Sequence, residues 1–244
     1  FVSDGRFVVA HHNQMCTGES QPRVELYTSD GDWSQTFVMA DGENPDRSHP
    51  AAFACNVGCN RLFATWFRGY EKDLRGRFVD LTTDTLEDGF DLEQYSTGPG
   101  YRPNDHTSLT HGDGRYLVHL GPTDSPDTVA TWSEGDSDWG SSGDLSAARS
   151  LPPSTTWTGD GYLIAMAVFA DSTSMAMPDS RFDYTTKLHH IAPDATPRNS
   201  RTIDSAYGSV HPDVVWAKDR IAVTWVRVYE DSTEARYLSF LTCP

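Results

Sequence analysis

Apolar residues in this chain fall in short runs, some uninterrupted and some alternating with polar ones, and neither kind shows helical spacing. The stretch Tyr162 to Phe169 is uninterrupted, which predicts a strand covered on both faces. Arg23-Val24-Glu25-Leu26-Tyr27 and Arg77-Phe78-Val79-Asp80-Leu81 alternate, which predicts half-buried strands. Weaker runs at Gln35 to Met39, Phe90 to Tyr95 and Asn199 to Ile203 predict outer strands, and the polar stretches Thr123 to Asp127 and Asp171 to Ser180 predict enlarged loops.

The runs recur. Ser3-Asp4-Gly5-Arg6-Phe7-Val8, Cys59-Asn60-Arg61-Leu62-Phe63-Ala64, Gly112-Asp113-Gly114-Arg115-Tyr116-Leu117, Gly159-Asp160-Gly161-Tyr162-Leu163-Ile164 and Ala217-Lys218-Asp219-Arg220-Ile221-Ala222 are each a tight turn entering an apolar strand. Anchored on Arg6, Arg61, Arg115, Tyr162 and Arg220, the copies lie 55, 54, 47 and 58 residues apart. Before the last four turns stand short strands of small and β-branched residues: Ala51 to Ala54, Thr107 to Thr110, Ser154 to Trp157 and Asp213 to Trp216. A unit of this length holding four strands cannot bury both faces alone, and stacking copies around a channel solves that.

The predicted fold is therefore all-β, a β-propeller of about five four-stranded blades in one domain over 1–244, with repeats of approximately 1–48, 49–105, 106–150, 151–210 and 211–244. The first copy starts at its turn and the last ends without an evident fourth strand, so the N-terminal segment is expected to close the last blade.

Composition narrows the setting. A net charge of −16 without a basic cluster argues against nucleic acid, and no apolar run is long enough to span a membrane. The chain opens on Phe1-Val2-Ser3-Asp4 without a signal-peptide pattern, as an exported mature form would. Cys55 and Cys59 bracket a Gly-containing turn and are expected to pair, leaving Cys16 and Cys243 to staple the ends. Zinc is the competing use of the four cysteines, but two close CxxC pairs are missing, so disulfides and a secreted, periplasmic or cell-surface location are preferred.

Two sets of side chains carry candidate chemistry. His106 and His211 each precede their anchor arginine by nine residues, and His49 precedes Arg61 by twelve, an excess absorbed by a local insertion at Cys55 to Cys59. All three would begin the channel-side strand of a blade, so they form a candidate transition-metal site; a copied structural histidine is the plainer alternative. Calcium is a second possible ion, given the acidic surface. Asp46, Asp105 and Asp213 lie within three residues of these histidines, and Asp105 and Asp213 are the alternative catalytic carboxylates for glycoside chemistry, against a role in turns.

Tyr27-Thr28-Ser29-Asp30-Gly31-Asp32-Trp33-Ser34 and Thr131-Trp132-Ser133-Glu134-Gly135-Asp136-Ser137-Asp138-Trp139 resemble degenerate Asp-box hairpins of the sialidase-like propellers. The pattern there is Ser/Thr-x-Asp-x-Gly-x-x-Trp; the first is shortened between Asp30 and Trp33, and the second carries Gly135 at the Asp position. In that family the box is a structural turn, so the resemblance implies architecture and no arginine triad maps onto this chain. The leading functional reading is a recognition or scaffold module, not an enzyme, that binds glycan or protein at the channel mouth. Trp132 and Trp139 are its candidate surface aromatics. Trp66, Trp157 and Trp216 are assigned to packing between blades. The rivals are a glycoside-active enzyme and a metal-binding propeller.

Overall fold

The computed structural model describes residues 1–14, 20–40, 51–68, 73–94, 106–121, 126–133, 142–148, 150–169, 184–206, 208–217, 220–229, 231 and 233–242. Every regular element among them is a strand, and they form two compact units, Phe1–Gly114 and Arg115–Pro244.

In the first unit β1 (Val2–Ser3), β2 (Arg6–Gln14), β3 (Ser20–Tyr27) and β4 (Trp33–Val38) form one antiparallel sheet in chain order. The second holds β5 (Ala52–Cys55), β6 (Arg61–Arg68), β7 (Asp73–Asp80) and β8 (Thr85–Leu86), with β9 (Phe90–Gln94) also paired to β7. A third sheet runs β10 (His106–Gly112), β11 (Arg115–Gly121), β12 (Pro126–Trp132) and β13 (Ser142–Ala148), and the chain's division into units falls at its first turn. In the second unit follow β14 (Ser154–Trp157), β15 (Tyr162–Phe169), β16 (Tyr184–Ile191) and β17 (Pro197–Asp204), then a three-stranded sheet of β18 (Ser209–Ala217), β19 (Arg220–Val228) and β20 (Glu234–Thr242). The chain is an all-β propeller, and each anchor of the sequence repeat is the first residue of the second strand of its sheet.

The turns explain that regularity. Asp4 and Gly5 have φ of 47° and 73°, and Asp113 and Gly114 have 52° and 70°, the doubly left-handed geometry of a two-residue hairpin that matches strand twist. A strand does precede the first turn: Val2 pairs with Phe7 and Ser3 with Arg6, so the first sheet has four strands. Two residues are too few for a hydrophobic pattern to reveal. The fifth sheet has three strands among the described residues, in line with the absent fourth run.

Burial follows the two predicted kinds of run. All eight residues of β15 are buried. Its Tyr162, Ile164, Met166 and Val168 pack with Leu117, Val129 and Leu145 of β11 to β13, while Leu163 and Ala165 pack with Val214, Ile221, Val223 and Trp225 of the last sheet. In the first unit Val8, Val24, Leu26 and Phe37 meet Leu62, Ala64, Trp66 and Val79, which accounts for Trp66 as a packing residue. On the other face of the second sheet Phe63 and Phe78 stack with centroids 4.5 Å apart, and the Arg61 guanidinium lies 4.1 Å above Phe78. Arg77, nearly buried, donates to the carbonyls of Met39 at 3.0 Å and Glu87 at 2.6 Å, tying the first two sheets together.

The Tyr27 to Ser34 hairpin closes through Thr28 N–H donating to Asp32 O at 2.8 Å, with Gly31 at φ 89°. The same five-residue turn links β16 to β17, where Ala192 N–H donates to Thr196 O at 2.8 Å and Ala195 takes φ 64°. One left-handed residue followed by a return hydrogen bond is thus enough for this turn, with or without a tryptophan after it.

Candidate functional site

The second unit contains a cleft of about 480 Å³, a volume typical of small-molecule sites. It is lined by Thr158, Asp160, Leu163, Leu188, His190, Arg198, Asn199, Arg201, Ile221 and Leu241. The strand pattern sorts these into a floor and a rim. Leu163 on β15 and Leu188 on β16 belong to one inter-sheet core with Ile221 on β19 and, at its margin, Leu241 on β20. Pairing sets His190 opposite Leu163 and opposite Asn199, and Arg201 opposite Leu188, so alternation brings these side chains to one face. Every residue from Pro197 to Thr202 is exposed, and the pairing of β16 with β17 shifts between His190 and Ile191, which leaves Arg198 without an opposite residue.

The rim is polar and organised. Thr158 Oγ1 donates either to Asp160 Oδ1 at 2.8 Å or to the Gly161 carbonyl at 2.9 Å. Arg198 Nη1 lies 3.9 Å from Asp160 Oδ2 and 3.3 Å from His190 Nε2. A guanidinium has no acceptor, so His190 Nε2 accepts and the ring proton sits on Nδ1. Burial pushes the His190 pKa below its ordinary value, the Arg198 charge pushes it further, and Asp160 opposes both, so the ring is neutral at pH 7 and able to accept. Gly161 permits this approach: a Cβ there would lie 2.7 Å from both His190 Nε2 and the Ile191 carbonyl. The Arg201 side chain has no hydrogen-bond or ion-pair partner among the described residues. The lining carries two guanidiniums and one carboxylate in a chain whose net charge is −16.

None of the described residues singled out from sequence lines the cleft. His49, Asp46, Asp105, Trp139, Cys16 and Cys243 are outside the described residues, and His106 opens β10 with its side chain also outside them. His211 is exposed on β18 with φ 49°, inside the pairing irregularity between Val210 and Asp213. Among the described residues no group of three His, Cys, Asp or Glu could hold a metal ion. Asp213 accepts a hydrogen bond from Ser154 Oγ, whose oxygen also receives the Val214 N–H at 3.2 Å; this carboxylate fastens β14 to β18 and does not line the cleft.

Trp132 corrects an expectation. It is 6% exposed on β12 with its ring centroid 6.2 Å from that of Tyr116, because the strand runs through Trp132 and the loop begins only beyond it. The Cys55–Cys59 disulfide is present.

His189, next to His190 of the cleft, is 6% exposed, since neighbouring residues on a strand face opposite ways. With His119 and Asp127, both fully buried, it belongs to a polar cluster of the second unit. His119 Nε2 lies 3.4 Å from Asp127 Oδ2, which also accepts from Ser150 Oγ. Burial depresses the His189 pKa to about 4, with Lys187 and His119 adding and Asp127 opposing.

The sequence does not announce the cleft because its parts are dispersed over five strands and the turn before β15. The available signal was Arg198-Asn199-Ser200-Arg201, two arginines on a polar outer strand of an acidic chain.

No known family model matches the chain. No curated protein matches it either. Among solved structures it is similar to the phage phi92 endosialidase, at 9% identity and a TM-score of 0.59 over 100% of this chain and 48% of that one. The β-propeller domain of a Pyrococcus furiosus trilobed protease, described as having an open velcro topology, is similar at 10% identity and a TM-score of 0.54, over 99% of this chain and 67% of that one. A leech intramolecular trans-sialidase complexed with 2,7-anhydro-Neu5Ac is similar at 10% identity and a TM-score of 0.58, over 92% and 36%. These likenesses establish the propeller fold. The chain spans about half the length of the endosialidase chain. Among the described residues no helix is long and apolar enough to cross a membrane.

Proposed function

We propose that this chain is an extracellular recognition propeller that binds a glycan in the cleft of its second unit. The observation that carries the reading is the cleft itself. Four aliphatic side chains form a floor for the C–H surface of a sugar, and a hydroxyl, an amide, an imidazole and two guanidiniums surround it as hydrogen-bonding groups for hydroxyls. The channel mouth was the place expected for a ligand; the cleft is preferred because its polar groups line one concave volume.

The Cys55–Cys59 disulfide supports an oxidising compartment. Two of the similar structures are named as an endosialidase and a trans-sialidase, which lends a glycan ligand modest support. Asp213, the described member of the alternative catalytic pair, is engaged between strands, and this favours recognition over hydrolysis. A glycan array probed with the whole chain, run beside a hydrolysis screen of the glycans it retains, tests the reading. Retention without turnover is expected. Turnover lost in Asp213→Asn would establish the enzyme reading instead.

A further inference from the structure

We infer that a single carboxylate of the ligand enters this cleft, held by Arg201 and Arg198, and that the ligand belongs to the class of acidic sugars of the uronate type, one carboxylate to each ring. The inference rests on the recognition reading above and adds the ligand's charge and the group that reads it.

Charge is the first argument. The lining holds Arg198, Arg201 and Asp160 with a neutral His190, a surplus of one positive charge, in a chain whose overall charge of −16 repels anions. One uronate ring placed in the cleft neutralises that surplus. A phosphate monoester, with two charges on one group, would overshoot it beside the Asp160 carboxylate.

Geometry is the second. Arg198 is already oriented by His190 at 3.3 Å and by Asp160 at 3.9 Å, so it needs little ordering on binding. Arg201 is on the same strand, its side chain has no partner among the described residues, and its planar fork of donors matches the two oxygens of a carboxylate.

The floor is the third. A bare inorganic anion would leave the half-buried Leu241 and the narrow exposed edges of Leu163, Leu188 and Ile221 in contact with water, whereas a pyranose ring attached to the carboxylate covers them. Asn199 and Thr158 remain available for ring hydroxyls.

Calorimetric titration of the full chain with trigalacturonate, with neutral maltotriose and cellotriose, and with inorganic phosphate tests this. Trigalacturonate is expected to bind at least about tenfold more tightly than either neutral trisaccharide. Arg201→Gln is expected to weaken it by about tenfold to a hundredfold, the value of one charge-assisted hydrogen bond or more. Arg201→Lys, which keeps the charge and loses the fork, should fall between. Because Arg201 is exposed, both variants should unfold at the wild-type temperature.

Equal binding of neutral and acidic trisaccharides, or acidic binding untouched by Arg201→Gln, overturns the carboxylate assignment and leaves the recognition reading standing. Phosphate binding as tightly as trigalacturonate also overturns it. If neither these sugars nor any glycan on an array is retained, both readings fail together.

Discussion

Asp204, the last residue of β17, and Arg227, near the end of β19, are joined across two sheets, with Arg227 Nη2 lying 2.7 and 2.6 Å from the two carboxylate oxygens. The Trp225 indole N–H donates to the same carboxylate at 2.7 Å and the Ala206 N–H at 3.0 Å. Burial pushes this carboxyl's pKa up, but the donors and the Arg227 charge outweigh it and hold the group below the ordinary carboxylate range.

Replacing Asp204 with Asn leaves Arg227 without its counter-charge beside a packed indole. Urea unfolding is expected to show a loss of about 2–3 kcal/mol. Because the folded pKa is depressed, the wild type should also lose stability as pH falls through the acidic range, and Asp204→Asn should lose less of it there.

His189 gives a second pH dependence at higher pH. Its folded pKa is about 4 against an ordinary value near 6.5. The unfolded chain binds the extra proton between those values, so the stability is whole above about pH 6.5 and declines as pH falls toward 4, by up to about 3 kcal/mol. Melting temperatures of wild type and His189→Gln across this window check it: the variant's curve should be flatter. An equal slope would mean that another group in the cluster titrates.

The two-faced burial of β15 makes a packing prediction. Ile164→Ala, in the core shared with β11 to β13, should cost about 2–5 kcal/mol. Val215→Ala, on a side chain 53% exposed, should change stability by less than about 0.5 kcal/mol. Similar losses at both sites would contradict the strand register.

The Cys55–Cys59 bridge closes a loop with a sequence separation of four. Loop-closure entropy for so short a span limits its contribution to about 2 kcal/mol. Unfolding of the Cys55→Ala/Cys59→Ala variant should show a loss no larger than that, and a substantially larger loss would mean the bridge also holds the turn at Asn56 to Asn60 in place.

Much of the fold was legible because it rests on local rules. Asp4-Gly5 and Asp113-Gly114 announce two-residue turns, and the unbroken apolar run from Tyr162 announces a strand with both faces covered. What escaped depended on length or on tertiary neighbours. β1 is two residues long, and Trp132 is buried because β12 continues through it. His189 and His190 are adjacent in sequence, yet one lies in a buried cluster and the other lines the cleft, a separation set by which sheet covers each face. The cleft combines residues from β15, β16, β17, β19 and β20 with the turn before β15, and no spacing along the chain brings them together.

The central claim is that the ligand enters this cleft. Amide chemical shifts of the ¹⁵N-labelled chain followed during titration with trigalacturonate test it most directly. The account predicts progressive, saturable shifts confined to Thr158–Leu163, Leu188–His190 and Arg198–Arg201, with Ile221 and Leu241 joining them. Saturable shifts at His211 and Asp213 with none around Arg201 would contradict it.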